Sequence, residues 1–418
     1  MSPHCCSLSL SRDCHESTYR IRRFLPLKDA TEEGYRVYRK VTIDLQLIED
    51  CGTHGLAQSA KFTDMLRLHL DIKVPVAARA IRGSLFALAI LATTHHGSAQ
   101  NTPLISGGAG FFTSTNGGMT TYLPIIEPLI AAPLGQHVLA ESRAALLEIV
   151  SPNGSNQSGY DHSHFIGLTY LQGDYLASRH FTLVGGDYLI PFNTYNDRLS
   201  PIWIGNLQDG PLIASLGTFS SGSGLGGMLR GNAIESNKYS IDYACFYSVP
   251  SSNEQFIAQR GSGGRASVYL PNQRLEAGFS YDRLLQSTRE NFFGAHVWWE
   301  PKDTAFRLRS EFGRGQHAQG YWVEADYRTQ RFGGLDSAIG RIEPVFRMQQ
   351  TFRIDAVASD GLPSMNTQRV DFGLNYSLPH NTRILTSYAR QFSASGNQNI
   401  WETGIVYRFL VPAWKGKR

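Results

Sequence analysis

Every second residue is apolar or aromatic through much of the C-terminal half, and this alternation constrains the fold more than any other feature. In residues 400–409 the set that begins at Trp401 and ends at Phe409 is aromatic, aliphatic or Thr, whereas the intervening set carries both charges, Glu402 and Arg408. Successive side chains of a β-strand point to opposite faces. The stretch is therefore predicted to be a strand with one apolar face and one charged face.

The same pattern recurs in further segments, which are predicted to be strands at 274–284, 304–312, 321–328, 341–349 and 369–376. A soluble sandwich or propeller would alternate too, but the polar faces here carry several charges each, and no repeat of the ~40–50 residues of a propeller blade is visible. No run of ~20 apolar residues follows position 100, so no transmembrane helix is expected there. The sequence predicts an all-β fold, a transmembrane antiparallel β-barrel of about 14–16 strands with a wet, charged interior.

A secretory signal peptide is predicted at residues 79–99. Basic Arg79 and Arg82 precede a short apolar run, and the small residues Gly97 and Ala99 end it, which fits cleavage after Ala99. The alternative is a short buried helix. Four of the five cysteines lie upstream of the cleavage site, so the exported part keeps one thiol and can form no internal disulfide.

The segments around the signal peptide set the predicted organisation of the chain. Residues 1–78 are predicted to be an N-terminal extension, either upstream of a later translation start or removed together with the signal. The Gly-, Pro- and Thr-rich residues 100–137 are predicted to be a leader or linker of uncertain structure. Residues 111–123 are at most a weak strand, and the prolines that follow disfavour a regular strand. The barrel is predicted to occupy residues 138–409, followed by a tail at 410–418.

Short turns alternate with long polar connections along the predicted barrel, as expected when one end carries turns and the other carries loops. The longest connection, residues 193–219, includes Trp203 and Ile204. A segment this apolar is not expected to stay in water. Two placements remain open at this point. The segment either folds into the lumen, where Trp203 and Ile204 would narrow it, or packs on the rim or at a subunit interface.

Residues 370–376 and 378–385 resemble the last hairpins of the phosphate-selective group of bacterial outer-membrane porins. The closing stretch resembles the last strand of bacterial outer-membrane barrels, in which a closing Phe serves as an assembly signal; Phe409 would take that role, with Tyr407 and Ile405 beside it. The resemblance implies a sixteen-stranded homotrimer in the outer membrane of a Gram-negative-type bacterium, in contact with outer-membrane lipid and the barrel-assembly machinery. It also implies a passive channel for anions, although only four lysines follow residue 100, so no lysine ladder for phosphate is evident.

The charged strand faces supply the candidate selectivity residues of such a channel, because rings or ladders of charge filter solutes in a wet pore. The candidate lumen arginines are Arg274, Arg307, Arg309, Arg328, Arg341, Arg347, Arg369, Arg383 and Arg408. The candidate lumen acids are Glu276, Asp282, Glu311, Glu324, Asp326, Glu343, Asp371 and Glu402. The two signs interleave, so they are explained either by a transverse field across a constriction or by salt bridges that support the wall.

Other classes of function find little support in the residues. The formal net charge of +4 does not indicate nucleic-acid binding. Asp161–His164 has a His-x-His spacing without a third ligand nearby in sequence, and no Gly-x-Ser-x-Gly motif occurs. No cofactor, metal or enzymatic activity is predicted. We expect a passive diffusion channel for small hydrophilic solutes and ions; the alternative is an outer-membrane barrel with a plugged lumen that acts as a rim enzyme or a surface-binding protein.

Overall fold

A computed structural model describes residues 102–153, 159–219, 222–253, 255–286, 289–330, 334, 336–355 and 360–412. The predicted N-terminal extension at 1–78 and the predicted signal peptide at 79–99 lie outside these residues, as do residues 413–418 of the predicted tail. Within them, no helix combines the length and the hydropathy needed to cross a membrane.

Sixteen strands form one closed antiparallel sheet in the described part of the chain. Each strand pairs with its neighbours in sequence, and β1 pairs with β16 to close the barrel. The strands are β1 (Leu104–Asn116), β2 (Met119–Pro133), β3 (Val138–Pro152), β4 (Tyr160–Ser178), β5 (Phe181–Leu189), β6 (Ser223–Glu235), β7 (Ser240–Val249), β8 (Gly261–Leu270), β9 (Leu275–Leu284), β10 (Glu290–Trp299), β11 (Phe306–Arg314), β12 (Ala318–Tyr327), β13 (Ile342–Arg353), β14 (Thr367–Leu378), β15 (Thr382–Ser393) and β16 (Gln398–Pro412). The predicted fold class is therefore confirmed, at the upper end of the predicted number of strands.

The alternation seen in the sequence separates an apolar outer surface from a charged interior. On β16 the side chains of Trp401 and Ile405 are 58% and 45% exposed, whereas Glu402 is 1% exposed. On β11 Phe312 is 43% exposed and Arg309 only 3%. Apolar side chains exposed all round a closed barrel are stable in lipid rather than in water, and closure leaves no unpaired strand edge. The outer surface is that of a membrane-spanning barrel.

The prediction of a leader or linker at residues 100–137 is wrong. Most of this segment forms β1 and β2, and β1 closes the barrel by pairing along β16, with Gly107 opposite Phe409. Prolines were taken to disfavour a regular strand. The β2–β3 pairing is indeed interrupted at Pro124 and Pro128, but it resumes after each of them, and the β1–β2 register runs through both. The barrel also extends past residue 409, because β16 continues to Pro412.

The two ends of the barrel differ in their connections, as predicted. His380 and Asn381 both adopt positive φ, 61° and 56°, in the short turn between β14 and β15. Such left-handed backbone is what tight hairpin turns require. The long connections that follow β5, β7 and β13 lie at the opposite end, and the longest joins β5 to β6. The connection between β12 and β13, residues 328–341, is an exception, because it is long and lies at the end with the short turns. The β5–β6 connection determines the geometry of the interior.

Candidate pore constriction

The lumen loop, defined here as residues 190–219, folds into the interior of the barrel. The backbone N–H of Asn193 donates to the hydroxyl of Ser280 on β9 at 3.0 Å. Further along the loop, the backbone N–H of Leu212 donates to Oε1 of Gln349 on β13 at 2.8 Å. Both acceptors are fully buried inward-facing side chains. Of the two placements that the sequence left open, the structure therefore has the one inside the lumen.

Glu311 on β11 anchors the start of the lumen loop. Its Oε1 accepts hydrogen bonds from the backbone N–H of Thr194 (2.7 Å), the hydroxyl of Thr194 (2.6 Å) and the backbone N–H of Tyr195 (2.7 Å). Its Oε2 accepts a bond from the indole N–H of Trp322 at 3.1 Å. A buried carboxylate is costly unless such donors surround it, and bonds to a charged acceptor are the stronger kind. Glu311 therefore fixes the loop to the wall.

The next turn of the loop is held by two ion pairs on the β8–β9 side. Asp197 pairs with Arg265 of β8, whose Nη2 lies 2.7 Å from Asp197 Oδ2. Arg198 donates through both Nη1 and Nη2 to the two carboxylate oxygens of Glu276 on β9, each at 2.9 Å. This two-pronged geometry fixes orientation as well as distance. Both Asp197 and Arg198 belong to a π-helical turn formed by residues 195–199.

A few residues later the loop reaches the opposite part of the wall. Nη2 of Arg143 on β3 donates to the hydroxyl of Ser200 at 3.1 Å. The backbone N–H of Ile202 donates to Oε2 of Glu127 on β2, also at 3.1 Å. Five strands lie between β3 and β9 along the shorter way round the barrel. The loop therefore spans the lumen and contacts side chains from two separate parts of the barrel wall.

Trp203 and Ile204, the predicted constriction residues, have different surroundings. Trp203 packs with Ile202 against an apolar cluster on the wall, formed by Phe112, Leu385 and Val406. Ile204 is 39% exposed. Trp203 thus fixes the loop to β1, β15 and β16, and of the two only Ile204 presents a largely open side chain.

A row of alternating charges crosses β11 to β14. The strand register places Arg309 opposite Glu324, Glu324 opposite Arg347, and Arg347 opposite Asp371. Arg347 bonds to Oε2 of Glu324 through Nε at 2.9 Å and Nη2 at 2.6 Å, and Arg309 bonds to Oε1 of the same carboxylate. All four side chains are nearly fully buried. Each charge in this row is compensated by its neighbours, which is the condition for burying it.

The second half of the lumen loop closes over this row. The amide of Asn206 donates to Oε1 of Glu324 at 3.1 Å. Nη1 of Arg347 donates to the carbonyl of Asp209 at 2.8 Å, and Nη1 of Arg369 lies 2.7 Å from Asp209 Oδ2. The predicted selectivity residues Glu311, Arg347 and Arg369 therefore all contact the loop.

The remaining predicted arginines lie nearer the end with the short turns. Arg307 pairs with Asp326 (2.8 Å) and Glu343 (3.3 Å), and Arg383 lies 3.6 Å from the same Glu343. Arg408 is half-buried near the end of β16. The prediction that Arg341 begins a strand is wrong, because it lies in a 3₁₀ turn and β13 begins at Ile342. A sequence pattern does not show where strand pairing stops, so a strand end predicted from it can differ from the observed end by a residue.

Glu300, in the turn between β10 and β11, joins Arg274 and Arg328. Each guanidinium lies 3.3 Å from Oε2 of Glu300, and their side chains are 32% and 30% exposed. Burial tends to raise the pKa of Glu300, but Arg328 and Arg307 outweigh burial and hold it below its usual value. Two half-exposed guanidinium groups around one carboxylate leave a local positive excess at this mouth of the barrel.

Sequence reasoning missed the charged residues of the N-terminal half of the wall. Arg230 on β6 pairs with Asp174 on β4, and its side chain is 31% exposed. Arg143 contacts the loop, as described above. The β3–β4 pairing shifts register between Arg143 and Ala144, so the period of two breaks where these charges begin. On β6 the polar side chains of Arg230 and Asn232 share one face, opposite Leu229, and this spacing was a usable signal.

Comparison with known proteins identifies solved structures with a similar fold but no relatives by sequence. No protein-family model matches the chain, and no curated protein matches it. Among solved structures, OmpF of Salmonella typhi in complex with daunomycin aligns with a TM-score of 0.51 and 12% identity, covering 75% of this chain and 99% of that one. The fold is that of an outer-membrane porin. An anion-selective porin from Comamonas acidovorans aligns with a TM-score of 0.46 and 11% identity, over 74% of this chain and 99% of that one. OprD, an outer-membrane protein of Pseudomonas aeruginosa, aligns at 0.42 and 11%, over 77% and 97%. The porin-like barrel shares little sequence with these proteins.

Proposed function

We propose that this protein is an outer-membrane porin, a passive diffusion channel for small hydrophilic solutes. The observation that carries the proposal is the lumen loop, which crosses a charged interior and is anchored on both sides of it. An apolar outer face, a charged inner wall and a fixed segment across the lumen are the parts of a size- and charge-filtering pore. No step of chemistry is required of the protein.

We further propose a preference for anions. It rests on partly exposed arginines rather than on those buried in the wall. Arg307 and Arg309 are two of the candidate lumen arginines, but both are paired with wall carboxylates and support the wall. Arg230, Arg274 and Arg328 are ion-paired arginines whose side chains stay about one-third exposed. The positive excess around Glu300 favours anions at the mouth with the short turns. Arginine remains charged over the working pH range, so this attraction persists.

Targeting and assembly complete the proposal. β1 begins at Leu104, so cleavage after Ala99 would leave a few residues ahead of the first strand. Phe409 lies beside Gly107 on the β1–β16 seam, where an assembly signal would be read. We propose export by the 79–99 signal, insertion by the barrel-assembly machinery into outer-membrane lipid, and a homotrimer of barrels.

Reconstitution into planar lipid bilayers tests the proposed function. Purified barrel is expected to give discrete current steps, and the reversal potential in a salt gradient is expected to favour anions. Arg328→Gln should shift that potential toward cations, because it lowers the positive excess around Glu300, which keeps Arg274 as a partner. Arg179→Gln serves as a control, because this exposed arginine lies in the β4–β5 turn. Folded barrel without current steps would refute the porin and favour a plugged barrel with a rim or surface role, for which the extensive docking of the loop is the supporting observation.

A further inference from the structure

Five inward-facing glycines of the barrel wall lie directly under side chains of the lumen loop. They lie on strands that extend more than half-way round the barrel, and we call them the glycine seat: Gly108 on β1, Gly261 on β8, Gly294 on β10, Gly313 on β11 and Gly373 on β14. At each one, the atom nearest to an added Cβ would belong to the loop rather than to the wall.

The distances show how little space each glycine leaves. A Cβ on Gly313 would lie 2.7 Å from Cδ2 of Leu216, and a Cβ on Gly373 would lie 2.6 Å from Cδ2 of Leu207. Carbon atoms in contact are normally separated by ~3.5–4.0 Å. Any side chain larger than hydrogen at these positions therefore displaces the loop, or at least the loop residue that covers it.

The same pattern holds where the loop meets other strands. A Cβ on Gly108 would lie 2.8 Å from Cε3 of Trp203, and a Cβ on Gly294 would lie 2.8 Å from Cζ of Phe192. Gly in a strand interior weakens the strand and often marks the close approach of another segment. The wall therefore has glycine, which lacks a side chain, at the places where the loop packs against it.

We propose that the glycine seat is an internal docking surface that holds the lumen loop as a fixed constriction, and that these glycines set the size limit of the pore. The polar anchors specify where the loop binds, whereas the seat specifies how closely it lies against the wall. The size-limit part rests on the proposed porin function; the docking part does not.

Two outward-facing strand glycines provide matched controls. A Cβ added to Gly173 on β4 or to Gly185 on β5 meets nothing within 4 Å. Replacement by Leu at these sites removes a strand glycine and adds the same apolar volume, but on the exposed face of the barrel. Any effect of losing a flexible residue is common to both sets of variants.

Trypsin provides a readout of docking that does not depend on conduction. Arg198 is the only Lys or Arg of the lumen loop, and in the docked state it pairs with Glu276. Cleavage after Arg198 creates a new N-terminus at Leu199, which mass spectrometry identifies. In wild type and in the Gly173→Leu and Gly185→Leu controls, the loop is expected to resist cleavage. In Gly313→Leu and Gly373→Leu, cleavage at this bond is expected to be at least ~10-fold faster.

A compensating change separates loss of the seat from general damage to the strand. Leu216→Ala should restore protection in the Gly313→Leu background, because it removes the atoms that the new side chain displaces. It should not restore protection in Gly373→Leu, where Leu207 is the neighbour. If Gly313→Leu fails to give folded barrel, the Gly313→Ala variant with and without Leu216→Ala makes the same comparison with a smaller overlap. Equal resistance of seat and control variants, or rapid cleavage of wild type, would overturn the docking proposal.

Conductance then tests the size limit on the same samples. Variants whose loop is cleaved faster are expected to show higher single-channel conductance and to admit larger neutral sugars in liposome swelling. Faster cleavage with unchanged conductance would retain the docking surface and refute its role in size selection. Absence of current in wild type would refute the porin function and leave the trypsin result standing.

Discussion

Removal of the Glu311 carboxylate should release the start of the lumen loop. In Glu311→Ala, the backbone N–H groups of Thr194 and Tyr195 lose their acceptor in a region where Thr194 is 3% exposed. A buried donor left unsatisfied costs about 1–3 kcal/mol, so two of them cost about 2–6 kcal/mol, before the loss of the bond to Trp322 is counted. Because 1.4 kcal/mol is a factor of ten, the open population of the loop should rise on the order of 10- to 10⁴-fold.

Hydrogen–deuterium exchange of the peptide that contains Thr194 and Tyr195 measures this opening directly. Exchange should accelerate by the factor given above, whereas peptides of the β11–β12 ladder should keep their protection. Glu311→Gln keeps an acceptor oxygen but loses the charge, so its effect should be intermediate. Glu290→Ala is the control, because that carboxylate bonds to the backbone N–H of Gln316, outside the lumen loop. Exchange in Glu311→Ala within twofold of wild type would show that the carboxylate does not hold the loop.

Three further predictions concern processing, assembly and pH. N-terminal sequencing of membrane-embedded protein should begin near Gln100, and finding residues 1–64 on it would contradict cleavage after Ala99. Phe409→Asp should reduce the yield of heat-modifiable barrel, through the lost assembly signal and through a lipid-face charge costing roughly 0–1 kcal/mol near an interface; a normal yield would count against that role. Glu300 has a lowered pKa, so its compensation of Arg274 and Arg328 is complete above the usual carboxyl value of 4.5 and is lost as pH falls through the lowered pKa. Anion preference should therefore rise in acid, and Glu300→Gln should show the higher preference already at pH 7 and a smaller acid response.

The strands of the C-terminal half were predictable because the alternation of apolar and polar residues within each strand distinguishes its two faces. The period of two in Trp401, Ile405 and Tyr407 needs no knowledge of the partner strand. β1 and β2 were missed because Gly and Pro lower strand propensity, while what decides their state is the closure of the barrel against β16. A closed barrel gains hydrogen bonds on both edges of every strand, and this outweighs weak local preference.

The interior could be predicted only in part, because its geometry depends on register and on a distant segment. Trp203 was placed in a long connection that is too apolar to stay in water, and it does lie in that loop. Nothing in the neighbouring sequence indicates that it contacts Gly108 or Phe112. Glycines such as Gly313 and Gly373 were visible in the strands as gaps in the side-chain pattern. Their significance appears only when loop side chains occupy those gaps.

The arginines show most clearly how register changes function. Arg307 and Arg309 give β11 a positive excess when that strand is considered alone, and such an excess would attract anions. The strand register places Asp326 opposite Arg307 and Glu324 opposite Arg309, and the Glu324 carboxylate binds both Arg309 and Arg347. The charges then cancel within the wall, and removing either arginine would leave a buried carboxylate undercompensated rather than simply alter the field in the pore. Selectivity must come from charges that the register leaves exposed, and Arg230, Arg274 and Arg328 are the described arginines that combine an ion-pair partner with a side chain about one-third open to water.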